Sequence, residues 1–224
     1  MKQKRNVDKN LHESIQPKLI ALFGGTFDPI HDGHIAIANH VLKNLSVDHI
    51  EFIPCYLPPL HATPIANAQD RLNMVKLAIQ KNSRCEINDI EIQRKGVSYT
   101  IDTVKSVREK EKQNILCLMV GADAFLQFHT WKNWKTILKL AHIVVINRIG
   151  VDLTPIHSLL KNSVVLSENT LYKNQAGCIL LLSMKPISIS ATDIRQKIQM
   201  GERHHITGLP KSVSEYIFKH HVYI

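Results

Sequence analysis

Leu19-Ile-Ala-Leu-Phe23 runs directly into Gly24-Gly25-Thr26-Phe27-Asp28-Pro29-Ile30-His31-Asp32-Gly33-His34, and this stretch decides the fold. The apolar pentapeptide predicts a buried strand, stopped by two glycines that let the backbone turn sharply and come close to a ligand. Gly33-His34 then opens a segment to Leu45 with apolar residues at Ile35, Ile37, Ala38, Val41, Leu42 and Leu45, the spacing of a helix. Strand, glycine turn and helix in that order put free N–H groups and the positive end of a helix dipole at the strand's carboxyl end, where a phosphate is favoured. His31 and His34 are three residues apart, so both rings can face one polyphosphate and donate hydrogen bonds that strengthen as charge develops. An isolated His-x-Gly-His reads more plainly as a glycine turn with two surface histidines. The strand and the Gly-Gly-Thr-Phe-Asp-Pro turn before it shift the reading to nucleotide chemistry.

Outward from this stretch, strand and helix patterns alternate. His49–Ile53 predicts a second strand, ended by Pro54. Leu57–Pro64 predicts a loop, because its prolines remove donors and restrict their neighbours. Asn67 or Asp70 is the expected cap of a helix to about Gln80, Cys85–Gln93 a strand, and Thr100 to about Lys110 a helix capped by Thr100 or Ser98. Ile115–Val120 is nearly all apolar, as a central parallel strand covered on both faces should be, and Gly121-Ala-Asp123 ends it. Trp134–Leu140 predicts a short helix, and His142–Ile146 a buried strand. Val164–Ser167 and Ile179–Leu182 are further apolar runs. Ser190 or Thr192 caps a helix to about Met200, and Ser212–His220 forms a last helix. Such alternation predicts an α/β protein with a mainly parallel sheet and helices on both faces. In these sheets ligands sit at the carboxyl ends of the strands, near the point where strand order reverses.

Composition narrows the class. A chain of 224 residues suits one sizeable domain that buries roughly 70% of its unfolded surface. The hydrophobic fraction of 44% and charged fraction of 21% are ordinary for a globular protein. Cys55, Cys85, Cys117 and Cys178 form no CxxC pair, so scattered reduced thiols are expected rather than a zinc or redox site. No apolar run reaches the roughly 20 residues that cross a bilayer. Lys2, Lys4 and Arg5 are followed by no apolar segment, so a secretory leader is not expected and a cytoplasmic location is. The net charge of +9 attracts phosphates without choosing among them. Residues 1–18 hold five Lys or Arg against two acids and are expected to be a basic, flexible tail ahead of a domain at 19–224.

Three further signatures follow strands. In Ile187-Ser-Ile-Ser-Ala-Thr-Asp-Ile-Arg195, hydroxyls stand at a helix start and Arg195, on the first turn, offers a fork of donors with a fixed charge; alone, this is an ordinary helix cap. In Gly121-Ala-Asp123, an Asp at a strand's carboxyl end can bind ribose hydroxyls, though a turn-forming Asp is the plainer reading. Ser98-Tyr99-Thr100, with Trp131 further on, offers backbone donors and an aromatic face suited to a pyridine ring bearing a carboxylate, although Trp131 and Trp134 equally suit a core.

Together these residues resemble a known family. Gly24–His34 is similar to the (H/T)xGH motif of the nucleotidyltransferase superfamily, in the longer form carried by bacterial nicotinate-nucleotide adenylyltransferases. Pro58-Pro59, Asp70-Arg71-Leu72, Ser98–Thr103, Gly121–Asp123, Trp131, Arg148, Ile187–Arg195 and the segment from Leu209 to His220 follow in that family's order, and the resemblance covers about Leu19 to Ile224. It implies a Rossmann-like doubly wound parallel sheet of the HxGH nucleotidyltransferase type. It also implies adenylyl transfer from ATP to nicotinate mononucleotide in NAD biosynthesis. His34, His31 and Arg195 would be the catalytic residues. Gly24, Gly25, Thr26, Phe27, His31, His34, Gly121, Asp123, Ser190, Thr192 and Arg195 would bind ATP, with Asp123 on the adenosine ribose. Tyr99, Thr100, Trp131 and Arg148 would bind the mononucleotide, with Trp131 on its ring and backbone near Tyr99-Thr100 at its carboxylate. Mg²⁺ would be held by substrate phosphates and water, with no protein metal ligand. The chain departs from the family pattern at Leu60-His61, Ala191 and Ile149, which bears on fine substrate contacts.

Two alternatives differ in kind. The same chemistry on nicotinamide mononucleotide or phosphopantetheine would keep the fold and change the acceptor. A non-catalytic nucleotide sensor or nucleic-acid binder is motivated by the +9 charge, but no helix-turn-helix, RNA-binding sheet motif or zinc finger accompanies it, so neither a nucleic acid nor a membrane is an expected partner. Monomer and homo-oligomer both fit the sequence.

Overall fold

A computed structural model describes residues 16–59, 62–148, 163–165, 167–202 and 206–224. Most of the basic tail, Leu60, His61, Ile149 and the side chain of Arg148 lie outside the described residues. Seven strands make one sheet: β1 (Leu19–Gly25), β2 (His49–Pro54), β3 (Cys85–Ile87), β4 (Ile115–Gly121), β5 (His142–Arg148), β6 (Val164–Val165) and β7 (Ile179–Met184). Their order is β3-β2-β1-β4-β5-β7-β6, and every pairing is parallel. The chain builds outward from β1 to β2 and β3, then returns to the other side of β1 for β4. The reversal point therefore lies between β1 and β4.

The helices α1 (Asp32–Asn44), α2 (Ala68–Ile79), α3 (Ile90–Arg94), α4 (Thr100–Lys110), α5 (Ala122–Leu126), α6 (Trp134–Leu140), α7 (Ala191–Gln199) and α8 (Lys211–Lys219) cover both faces. Successive side chains of a strand point to opposite faces, so β1 feeds two cores. Leu19, Ala21 and Phe23 join Val41 of α1, Val75 of α2, Ile194 of α7 and Val213 of α8 on one side. Ile20 and Leu22 join Ile101 and Val104 of α4, Phe125 of α5 and Ile137 of α6 on the other. This explains the unbroken apolar runs of β1 and β4: with both faces covered, no position is left for a polar residue. All four cysteines are free thiols.

The structure corrects several expectations. Cys85–Gln93 is not one strand. β3 stops at Ile87, because Asn88 turns the chain: its N–H donates to the Phe52 carbonyl at 3.0 Å and its Oδ1 accepts from the Ile90 N–H at 3.1 Å, a local bond that competes with the ladder. α3 follows. Neither Thr100 nor Ser98 caps α4. Tyr99 holds that position without a side-chain bond, while the Ser98 hydroxyl accepts from the Tyr56 N–H at 2.9 Å. Asn67 does cap α2, accepting from the Asp70 N–H at 2.8 Å, and Ser190 caps α7, accepting from the Asp193 N–H at 3.1 Å. α5 and the 3₁₀ turns Phe128–Thr130 and Glu168–Lys173 are too short for periodicity to reveal.

Candidate active site

Two adjoining cavities open at the carboxyl ends of β1 and β4. The larger, about 780 Å³, is lined by Gly24, Gly25, Thr26, Pro58, Pro59, Ser98, Tyr99, Thr100, Asp123 and Trp131, among others. The smaller, about 330 Å³, is lined by His31, Gly33, His34, Gly121, Asp123, Ser190 and Ala191, with Phe23, Ile37, Val120, Ile146, Met184 and Ile189 giving it apolar walls. Asp123 belongs to both, on the first turn of α5. The site therefore has two lobes with a carboxylate between them, at the reversal point where ligands of parallel sheets bind.

The histidine pair stands on the first turn of α1. The rings stack with centroids 3.8 Å apart, and His34 packs edge-on to Phe27 at 5.0 Å. His34 Nδ1 accepts the His31 backbone N–H at 3.3 Å. A neutral ring whose Nδ1 accepts carries its proton on Nε2, so His34 presents Nε2 as a donor. Burial pushes the His31 pKa down to about 4. Burial, and then the neighbouring His31 charge, push His34 down to about 3. Both rings are thus neutral at physiological pH. His31 Nδ1 is buried at the N-cap of α1, where the His31 and His34 side chains form a reciprocal capping box with each other's backbone N–H. Gly33 is required beside it, since a Cβ there would come within 2.9 Å of that same nitrogen.

The loop Thr26–Ile30 is anchored on several sides. Asp28 Oδ1 accepts from the Ala66 N–H at 3.0 Å and the Tyr223 hydroxyl at 2.7 Å, and its Oδ2 accepts from the Ile65 N–H at 2.8 Å. Arg195 Nη1 donates to the Asp28 carbonyl at 2.6 Å and Nη2 to Thr192 Oγ1 at 3.2 Å. Arg195 and Thr192 are therefore brought to the loop beside the histidines, but they do not form the cavity walls. The Phe27 ring is buried against Phe23, Phe52 and His34, so its side chain supports the site from beneath. Trp131 lines the larger lobe and leans on Phe128, centroids 5.3 Å apart. Trp134 packs on Phe128 from elsewhere in the core. Arg148 ends β5, and its side chain lies outside the described residues.

Two charged wall residues of the larger lobe lay outside the motifs: Glu91 and Lys132. Glu91 is buried and accepts the Thr103 hydroxyl at 2.6 Å; burial raises its pKa. Reading 85–93 as one strand concealed it, because a charged residue in a strand is assigned to solvent, whereas the turn at Asn88 points it inward.

The two glycines of the turn differ in kind. A Cβ at Gly24 would meet nothing within 4 Å, while one at Gly25 would come within 2.8 Å of the Phe27 ring. Gly24→Val should therefore hold its thermal midpoint within the roughly 0.5 kcal/mol typical of surface changes and raise a substrate KM about tenfold, the effect of about 1.4 kcal/mol of lost contact. Gly25→Val should instead lower the midpoint. Thermal melts and kinetics on both check this, and equal destabilisation at the two positions would count against a ligand approaching Gly24.

Comparison with known proteins agrees with this geometry. The family model described as cytidylyltransferase-like matches residues 22–197. A Coxiella burnetii protein named "Probable nicotinate-nucleotide adenylyltransferase" is 38% identical over 210 residues, covering 92% of this chain and 98% of that one. An Aquifex aeolicus protein of the same name is 47% identical over 130 residues, covering 58% of this chain and 77% of that one. Among solved structures, Plasmodium falciparum nicotinic acid mononucleotide adenylyltransferase complexed with NaAD superposes with a TM-score of 0.69 at 17% identity, covering 92% of this chain and 97% of that one; at that identity the likeness concerns the fold.

Proposed function

Because the chain belongs to the cytidylyltransferase-like family, among its nicotinate-nucleotide adenylyltransferases, we propose that it moves the adenylyl group of ATP onto the phosphate of nicotinate mononucleotide. The products are nicotinate adenine dinucleotide and pyrophosphate, a step of NAD biosynthesis. The observation that carries this reading is the two-lobed site divided at Asp123. A reaction that joins two nucleotides needs two adjoining pockets, with phosphate chemistry at their junction. The smaller lobe, with apolar walls and the histidine pair, suits the adenosine and triphosphate. The larger lobe, with Tyr99, Thr100 and Trp131, suits the mononucleotide.

In this reading a phosphate oxygen of the mononucleotide attacks the α-phosphorus of ATP in line. The bond from that phosphorus to the β-phosphate oxygen breaks, and pyrophosphate leaves with the electron pair. No nucleophilic side chain takes part, so the protein contributes position and charge stabilisation. His34 Nε2–H donates to the phosphate oxygen that gains charge. His31, stacked on His34 in the same lobe, faces the phosphates with it. Arg195 keeps a fixed positive charge beside the loop. Mg²⁺ would enter with the triphosphate as part of the substrate, since such ions keep several waters and bind through phosphates. Among the described residues, no helix is long and apolar enough to cross a membrane.

Pyrophosphate release with ATP and Mg²⁺, given nicotinate and nicotinamide mononucleotide in parallel, tests the reading. Release favouring nicotinate is expected. Release favouring nicotinamide corrects the acceptor, and no release with either from folded protein overturns the reading. A second measurement assigns the lobes. Trp131→Ala should raise the KM for the mononucleotide about tenfold or more, the lower range for loss of one aromatic–base stack, with a smaller change in the KM for ATP. Equal rises in both would assign Trp131 to packing on Phe128 instead.

A further inference from the structure

The described wall of the larger lobe holds three side chains of formal charge, Glu91, Asp123 and Lys132. Two are acids. Glu91 faces inward to its hydroxyl partner Thr103, and Asp123 stands at the junction with the smaller lobe. Glu91 is backed by Arg94, whose Nη2 donates to Thr103 Oγ1 at 3.0 Å, so a second anion in this lobe meets chiefly the Asp123 carboxylate and the one described cation of the wall, Lys132.

Lys132 is aimed rather than free. Its Nζ lies 4.1 Å above the centroid of the Tyr99 ring and 3.9 Å from Asp102 Oδ2. Tyr99 is the residue before α4 and Asp102 lies on its first turn, so the two contacts hold the ammonium over the Tyr99-Thr100 edge of the cavity. Trp131, the preceding residue, lines the same wall, so an aromatic face and a cation arrive from adjacent positions. Neither contact matters much to the fold. The Lys132 and Asp102 side chains are 49% and 41% exposed, and pairs of that exposure contribute little to stability.

We propose that Lys132 is the residue that selects the acid over the amide, its ammonium facing the ring carboxylate of the mononucleotide beside Trp131. The inference rests on reading the larger lobe as the acceptor site. A carboxylate at that edge gains a charge-assisted partner, whereas a neutral carboxamide gains little. The phosphate is common to both acceptors and does not discriminate.

The test is steady-state kinetics of wild type, Lys132→Met and Lys132→Arg with nicotinate and nicotinamide mononucleotide, alongside thermal melts. In Lys132→Met, the ratio of kcat/KM for acid over amide should fall about tenfold, the effect of one charge-assisted bond at about 1.4 kcal/mol. The fall should come through the KM for the acid, with the KM for ATP and the thermal midpoint held. Lys132→Arg should restore most of the ratio. Equal rises in the KM for acid and amide would place the ammonium on the phosphate and overturn the proposal, as would an unmoved ratio in an active, folded variant. Wild type that turns over neither acceptor would remove the acceptor reading and the role of Lys132 together, whereas active wild type with an unmoved ratio removes Lys132 alone.

Discussion

His34→Ala lowers kcat by about 10²–10³ in a protein that still folds, the loss expected when one preorganised donor to a developing charge is removed. The size follows from how the ring is held. The His31 N–H to Nδ1 bond at 3.3 Å and the stack on His31 fix the ring, so Nε2–H needs no reorganisation when the phosphorus centre gains charge. The low pKa, about 3, keeps the ring a neutral donor across the physiological range, so its protonation state in the free protein does not vary between pH 6 and 8. The substitution removes one long hydrogen bond, the stack on His31 and the ring contacts to Phe27 and Phe23, but folding should survive because alanine suits the first turn of a helix. The loss should fall on kcat more than on either KM, since the donor acts on charge that appears only in the transition state. Stopped-flow or steady-state pyrophosphate release, with circular dichroism for the fold, decides the matter. Unchanged kcat in folded His34→Ala would withdraw the ring from catalysis.

Legibility in the sequence depended on how far each feature was fixed by local chemistry. β1, its glycine turn and α1 were legible because one short stretch carries the strand, the breaker and the helix spacing together. β4 was legible because an unbroken apolar run with no polar position is what a strand covered on both faces requires. The end of β3 was not, because Cys85 and Ile87, then Ile90 and Ile92, both alternate with polar residues, and only a one-residue slip between them marks the turn made by the Asn88 side chain. The cap of α4 was misread for a related reason. Ser98 is a good cap by type, but its hydroxyl is taken by the Tyr56 N–H, a partner 42 residues away that no local pattern discloses.

At the site, the residues of the long motif were legible, and their division of labour was not. Spacing put His31 and His34 on one helical turn, yet only the fold shows that Gly24–Thr26 and the histidines look into different lobes with Asp123 common to both. Arg195 was legible as a cation on the helix that opens within the Ile187–Arg195 motif. Its tether to the Asp28 carbonyl depends on β1 and α7 meeting across 167 residues. Lys132 carried no signal at all in a chain with 28 Lys and Arg; only its place over Tyr99 separates it from the rest.

Arg71→Ala should lower stability by about 3–5 kcal/mol, the sum expected when several buried carbonyls each lose their donor. Arg71 is 1% exposed and among the largest fully buried side chains, and each arm of its guanidinium has a separate target. Nη1 donates to the Thr26 carbonyl at 2.7 Å, Nη2 to the Tyr56 carbonyl at 3.0 Å and Nε to the Ala66 carbonyl at 3.2 Å. The side chain thus ties α2 to the turn at Thr26 and to the loop before Pro58. Alanine would leave three carbonyls without a donor, each at a cost of about 1–3 kcal/mol, offset where water enters the space. A loss of about 3–5 kcal/mol in a chain of this size corresponds to a fall in the thermal midpoint of roughly 6–20 °C. Arg71→Lys should fall between, because one ammonium has no planar fork to reach three carbonyls at once. That variant is also the informative one for function. Thr26 lines the larger lobe and Tyr56 precedes its Pro58-Pro59 edge, so a folded Arg71→Lys protein should show a higher KM for the mononucleotide than for ATP, relative to wild type. Melting and kinetics on the two variants separate the roles. A midpoint unmoved in Arg71→Ala would mean that the three carbonyls find other donors and that the turn is held by Asp28 alone.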